Sequence, residues 1–220
     1  MNKSFKLAPS ILSADFANLG AELHKIEVAG ADLVHVDVMD GSFVPNISIG
    51  PLVVKACKRS TVLPLDVHLM IVEPEKYIAG FAEAGANFIT IHAEATLHLH
   101  RTLQLIKGSG VGVGLAVNPL TPLNVILEAL PYLDTVLIMS VNPGFGGQKF
   151  IKPSLGRIET VANWIADLDL ACEIEVDGGV KVNNIKEIVS AGANILVAGS
   201  AVFNDNGVEN NIKDLRAAVA

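Results

Sequence analysis

Ala29-Gly-Ala-Asp-Leu-Val-His-Val-Asp37 decides how this chain is read. The same phrase returns as Ala84-Gly-Ala-Asn-Phe-Ile-Thr-Ile-His92 and as Ala191-Gly-Ala-Asn-Ile-Leu-Val-Ala-Gly199. In each copy a glycine stands where a helix closes in the left-handed conformation, and the β-branched run behind it suits a strand buried on both faces. Upstream, Leu19, Leu23 and Ile26 keep helical spacing, as do Tyr77, Phe81 and Ala84, while Pro51 and Pro74 stand where helices begin. The repeated unit is therefore a helix that runs into a strand.

Working outward from these copies gives eight strand candidates, around residues 7–10, 33–38, 65–69, 88–92, 112–117, 135–140, 173–177 and 195–199. Strands joined by helical crossovers are parallel, and eight such units close into a (β/α)8 TIM barrel, an α/β fold whose reactive end is the C-terminal rim of the strands. The expectation is a single barrel that makes one catalytic domain of residues 1–220. An open doubly wound sheet is the architectural alternative, but no GxGxxG follows an early strand and no shift of composition marks a second domain.

Composition agrees with one barrel. Of 220 residues, 50% are hydrophobic and 18% charged, enough for a large core and incompatible with a disordered or fibrous chain. A net charge of −7 without any basic cluster argues against nucleic acid or an anionic membrane as partner, so an anionic substrate would have to be held by backbone donors. Cys57 and Cys172 lack a CxxC or disulfide-like spacing and read as reduced, buried fillers. Residues 1–15 carry no apolar run behind their lysines and no small-residue cleavage site. The longest uncharged stretch, 108–127, is broken by Pro119, Pro122 and four glycines. A cytoplasmic protein with no membrane span is expected.

The polar residues concentrate at strand ends. A period of two points His35, Asp37 and Met39 the same way, and Asp66-Val-His68-Leu-Met70 and Glu175-Val-Asp177-Gly178-Gly179 repeat the pattern. Any one of them alone would be read as a hydrogen-bonded core residue. Converging from three strands, with no thiolate among them, His35, Asp37, His68 and Asp177 match the ligands of one divalent metal such as zinc, iron, manganese or cobalt. Asp66 and Glu175 lie one pleat deeper, either as supports for those ligands or as core polar pairs. His92 reads as structural packing, and His98 and His100 as helix surface.

Apart from the initiator, the methionines are Met39, Met70 and Met139, each at a strand's C-terminal end, where they would give a reaction centre a soft, polarizable lining. Glycines mark three rim loops that are adjacent in barrel order: Gly144-Phe145-Gly146-Gly147, Gly178-Gly179 and Gly199-Ser200. Loops after the last strands of a barrel commonly hold a phosphate on exposed N–H groups, which answers the missing basic patch. Ser10, at the end of the first strand, completes the ring.

Five stretches are together recognisable: Leu7-Ala-Pro-Ser-Ile-Leu-Ser-Ala-Asp15, His35-Val-Asp-Val-Met-Asp-Gly41, Leu65-Asp-Val-His-Leu-Met70, Ser140-Val-Asn-Pro-Gly-Phe-Gly-Gly-Gln148 and Val176-Asp-Gly-Gly179. In this order the chain resembles the ribulose-phosphate 3-epimerase family, from near residue 7 to beyond residue 200. The resemblance implies an enzyme that interconverts D-ribulose 5-phosphate and D-xylulose 5-phosphate. It implies Asp37 as the residue that accepts the C3 proton and Asp177 as the one that donates a proton in return. It implies His35, Asp37, His68 and Asp177 as ligands of one divalent ion that stabilises an enediolate. Ser10, His68, Gly144, Phe145, Gly146, Gly147, Asp177, Gly178, Gly179, Gly199 and Ser200 match the family's substrate contacts, and a homo-oligomer, dimer or hexamer, is implied as well. The nearest alternative is an epimerase of a hexulose phosphate such as allulose 6-phosphate. A non-catalytic sugar-phosphate-binding barrel should lack an acid/base residue, and metal-assisted hydrolysis finds no candidate beyond the metal set.

Overall fold

Helix and strand alternate along residues 5–219, the part of the chain that the computed structural model describes. The strands are β1 (Lys6–Pro9), β2 (Val34–Met39), β3 (Leu65–Met70), β4 (Phe88–His92), β5 (Gly112–Val117), β6 (Thr135–Met139), β7 (Glu173–Asp177) and β8 (Ile195–Ala198). The helices are α1 (Leu19–Val28), α2 (Pro51–Ser60), α3 (Ile78–Ala84), α4 (Leu99–Gly108), α5 (Asn124–Ala129), α6 (Ser154–Asp167), α7 (Ile185–Ala191) and α8 (Val208–Ala217). All strand pairs are parallel, in the order β1-β8-β7-β6-β5-β4-β3-β2. The ring is completed between β1 and β2, where the Asp32 amide donates to the Leu7 carbonyl at 3.0 Å and Ser10 bridges to His35. This is the (β/α)8 barrel.

Strand alternation divides the apolar residues into two cores. One parity, including Val34, Val36, Val67, Leu69, Ile89, Ile91, Val136 and Val176, meets the buried helix residues Leu23, Val54, Phe81, Ile106, Ile158 and Ile188 in one continuous layer outside the sheet. The other parity lines the lumen. Ala8, Leu33, Ile195 and Val197 form one small cluster there, and Ala116, Leu137 and Met139 join Val141 in another. The outer layer supplies most of the buried apolar area and hence most of the hydrophobic stabilisation. The lumen is thereby free to carry polar groups.

One expectation about a helix start needs correction. Pro74 opens a single 3-10 turn, Pro74–Lys76, and α3 begins only at Ile78. Glu73 enters that turn at φ 52°, and Tyr77 caps the helix from outside it, so Tyr77 is 50% exposed while Phe81 and Ala84 of the same spacing are buried. Both cysteines are buried, and burial pushes the Cys57 thiol up to about 11 and Cys172 to about 12, which suits inert fillers. Among the described residues no helix is long and apolar enough to cross a membrane.

Gly114 on β5 faces Thr90 on β4 so closely that a Cβ there would lie 2.0 Å from the threonine Oγ1 and 2.8 Å from its Cβ. Gly114→Ala should therefore destabilise the protein by about 1–3 kcal/mol, as overpacking of a close-packed interior does. Urea midpoints measure this. An unchanged midpoint would mean the lumen is looser than described.

Candidate metal centre and catalytic pocket

The parallel register of β2 against β3 builds the centre. It sets His35 opposite Asp66, Asp37 opposite His68, and Met39 opposite Met70, so three levels rise toward the rim. From the far side β7 brings Glu175 and then Asp177, the latter level with Met139 of β6 and Val197 of β8. The deepest of these polar levels is the best anchored. His35 is fully buried and places Nδ1 2.6 Å from Asp66 Oδ2 and 3.2 Å from Glu175 Oε1. Asp66 thus holds His35 by a hydrogen bond, while Glu175 lies against the same nitrogen with neither carboxyl oxygen hydrogen-bonded among the described residues.

His35, Asp37, His68 and Asp177 each offer a ligand atom, all within 4.8 Å of one another. His35 Nε2 lies 3.2 Å from Asp37 Oδ1, and His68 Nδ1 lies 3.1 Å from the same oxygen. Despite complete burial, His35 Nε2 has no hydrogen-bond partner among the described residues, while the opposite nitrogen is tied to Asp66. A ring held by one nitrogen with the other turned into a cluster of carboxylates has the form of a metal-ligating imidazole. Imidazole and carboxylate donors without thiolate fit a divalent cation of the zinc, iron, manganese or cobalt type.

Electrostatics separate the two candidate catalytic carboxyls. Burial pushes Asp37 up, but the charge of His35 beside it and the hydrogen bond from His68 outweigh it and hold the carboxyl well below the usual range. The Ser10 hydroxyl adds a 2.5 Å hydrogen bond to Asp37 Oδ2. Asp177 receives no side-chain hydrogen bond among the described residues, and burial followed by the negative charge of Asp37 pushes it up to about 7. His35, which burial pushes down, is raised well above its ordinary value by Asp37 and Asp66. The negative field that retains a proton on His35 would also retain a cation.

Above this centre lies the rim pocket, lined by Ser10, Met39, Met70, Met139, Asp37, Asp177 and all the sequence-selected glycines: Gly144, Gly146, Gly147, Gly178, Gly179 and Gly199, with Phe145 and Ser200. His35 and His68 lie below it, fully buried. Gly178 and Gly179 admit no side chain. A Cβ at Gly178 would lie 2.5 Å from Val141 Cγ2, and one at Gly179 would lie 2.5 Å from the Phe150 amide nitrogen, both at positive φ. Among the described residues the amides of Gly178, Gly179, Gly199 and Ser200 make no hydrogen bond. The Gly144 loop is fastened to the loop after β2 by Asn46 Nδ2, which donates to the Gly144 carbonyl at 2.9 Å.

Several lining residues escaped the sequence reading. Leu12 and Ser13 enter the pocket through a 3-10 turn, Ile11–Ser13, whose Leu12 amide donates to Ser10 Oγ. Val141, Pro143, Gln148, Val180 and Val197 also line it. Val197 was legible in principle, since a period of two carries it inward with Gly199. His92 does more than pack: its Nε2 lies 2.8 Å from His68 Nε2. Strand parity could have signalled this, because Thr90 stands beside His68 and His92 follows on the same face.

The raised Asp177 carboxyl sets a pH dependence in the metal-free protein. Its folded value of about 7 exceeds the ordinary 3.8, so the folded state keeps a proton that the unfolded chain releases, and this contribution to stability is lost as pH rises from about 4 to about 7. Asp177→Asn has no such loss. Urea titrations should show the variant gaining on the wild type across that window and holding a constant margin above it. A margin that does not change with pH contradicts the assignment.

Comparison with known proteins gives a consistent result. A family model described as the ribulose-phosphate 3 epimerase family matches residues 6–203. Ribulose-phosphate 3-epimerase of Bacillus subtilis is 54% identical over 216 residues, which covers 97% of this chain and 99% of that protein. The Escherichia coli K12 protein of the same name is 49% identical and covers 99% and 97%. The chloroplastic ribulose-5-phosphate-3-epimerase of Arabidopsis thaliana is 52% identical, covering 96% of this chain and 76% of that protein. Among solved structures, a tryptophan synthase alpha-subunit mutant from Pyrococcus furiosus superposes with a TM-score of 0.72 at 15% identity, covering 100% of this chain and 98% of that one. A 3-hexulose-6-phosphate synthase does so with a TM-score of 0.68 at 20% identity, covering 99% and 100%. These two likenesses concern the barrel alone.

Proposed function

The chain belongs to the ribulose-phosphate 3-epimerase family of enzymes, and from that premise and the pocket geometry we propose that it interconverts D-ribulose 5-phosphate and D-xylulose 5-phosphate by moving a proton at C3. One observation carries the mechanism: two carboxyls from different strands, Asp37 on β2 and Asp177 on β7, share one pocket within reach of each other. Inverting a carbon beside a ketone needs a base on one face and an acid on the other. In our reading the sequence acts as one catalytic domain.

The opposed environments of the two aspartates suggest their roles. Asp37, held ionised by His35, His68 and Ser10, is suited to take the C3 proton. Asp177, whose carboxyl lies near neutrality, is suited to deliver a proton to the opposite face. In the reverse direction the roles exchange. His35, Asp37, His68 and Asp177 would hold the cation, and when bound there a divalent ion supplies positive charge beside the oxygens on which the enediolate's charge develops. The unpartnered amides of Gly178, Gly179, Gly199 and Ser200 would receive the phosphate, and Gly144, Phe145, Gly146 and Gly147 would line the same sugar-phosphate path. Met39, Met70 and Met139 exclude water from the reacting carbon with a lining that offers no competing hydrogen bond.

Asp37→Asn and Asp177→Asn should each lower kcat by about 10²–10⁴-fold, the range for a positioned acid or base, with loss of C3–H exchange into deuterated water. Wild-type turnover in either variant rules out the two-carboxyl mechanism. Faster turnover on a hexulose 6-phosphate than on ribulose 5-phosphate rules out the pentulose assignment. Prolonged chelation should abolish activity, and separate restoration of zinc, iron, manganese and cobalt should return it. Full activity in a preparation shown by elemental analysis to contain no transition metal overturns the cation's role.

A further inference from the structure

The proposed ligand His68 is fully buried, and both of its nitrogens are engaged. Nδ1 faces Asp37 Oδ1 at 3.1 Å, on the side of the candidate metal centre, and Nε2 faces His92 Nε2 at 2.8 Å. The two rings have centroids 5.0 Å apart and planes 26° apart. Nitrogens at 2.8 Å with centroids that far apart put the rings edge to edge, as an N–H···N hydrogen bond requires and a face-to-face stack does not. His92 is itself fully buried, and its remaining nitrogen, Nδ1, lies 3.3 Å from Glu94 Oε2, close enough for electrostatic attraction though the geometry makes no hydrogen bond among the described residues. Glu94 is held in turn, since its Oε1 accepts the Asn118 amide at 2.9 Å and the Thr121 hydroxyl.

We propose that His92 and Glu94 are positioning residues that fix His68 in the tautomer whose Nδ1 binds the divalent cation. The inference rests on the metal reading of His35, Asp37, His68 and Asp177, and it follows from counting protons. A single proton fits between two imidazole nitrogens. If Nδ1 of His68 gives its lone pair to a cation, the ring's proton sits on Nε2 and is donated to His92. His92 Nε2 must then be bare, so its own proton sits on Nδ1, where the negative charge of the Glu94 carboxylate 3.3 Å away favours it. The opposite arrangement puts a proton on His68 Nδ1, where it excludes the cation, and turns the bare Nδ1 of His92 against the Glu94 carboxylate. Glu94 therefore biases a ring that it does not touch. His35 has a carboxylate, Asp66, directly behind it; His68 obtains the same support through one intervening imidazole.

The test is the affinity of the intact metal-free protein for cobalt(II), by chelator competition, with the visible spectrum of the bound ion as a second readout. Wild type should bind one equivalent. His92→Phe keeps the ring's bulk and removes the acceptor, and it should weaken binding about 10–100-fold and alter the spectrum. His92→Gln restores an acceptor oxygen near the Nε2 position and should recover most of the affinity. Glu94→Ala, at a side chain only 25% exposed but outside the lumen, should weaken binding in the same direction while the fold stays intact. Nitrogen-15 spectra of the zinc-loaded wild type should show His68 protonated at Nε2 and His92 at Nδ1. Wild-type affinity in both His92→Phe and Glu94→Ala, or a zinc-loaded His92 protonated at Nε2, overturns the relay while leaving the metal centre standing. A wild type that binds no cobalt overturns the metal reading and the relay together. Should His92→Phe not fold, Glu94→Ala and the tautomer spectra decide alone.

Discussion

In a parallel ladder, residues that share a level share a face, and the rest of this site depends on that constraint between β2 and β3. It makes His35 and Asp66 neighbours and places Asp37 beside His68 one level higher. A slip of one residue would turn every one of these side chains out of the lumen and set valines in their place. The register is held where apolar residues of the other parity, Val34, Val36, Val67 and Leu69, are buried beneath the helices. Packing outside the barrel thus fixes chemistry inside it.

Charges taken from water persist only when they are paired and hydrogen-bonded. In the lumen Asp37, Asp66 and His68 meet this demand, whereas both oxygens of Glu175 and Nδ1 of His92 make no hydrogen bond among the described residues. Asp66 holds His35, Asp37 is held by Ser10, His35 and His68, and His92 lies between His68 and Glu94. Glu175 sits behind this network with its carboxyl pushed well above the usual range, first by burial and then by Asp66, which removes a negative charge the lumen could not accommodate. Asp177 differs. Its environment contributes burial and like charge, and among the described residues no hydrogen bond offsets them, so its carboxyl is pushed up to about 7.

The pocket also reconciles an acidic protein with an anionic substrate. With a net charge of −7, long-range attraction of a phosphate is unavailable, and short-range backbone donors must serve instead. In the proposed function the glycine pair after β7 would meet that need with its amides, and a side chain at either position would collide with Val141 or with the backbone of Phe150. Such donors are set by the fold and add no flexible cation that could compete for the carboxylates of the candidate metal centre.

Taken by itself, the amino-acid sequence determined the architecture, because a helix-glycine-strand phrase that recurs at separated positions leaves parallel strands and a closed barrel as the consistent arrangement. It also singled out the residues now found around one pocket, since a period of two is enough to say which side chains of a strand share a face. Tertiary structure alone decided how those faces interlock. The choice between supports and core pairs for Asp66 and Glu175 required the register of β2 on β3 and the approach of β7 across the lumen. The contact of His92 with His68 is a neighbour relation between strands, which periodicity within one strand does not contain. The start of α3 likewise turned on the left-handed backbone of Glu73, a local conformation that no side-chain pattern announces. Periodicity specifies which way a residue points; what it meets there is set by packing between segments distant in the chain.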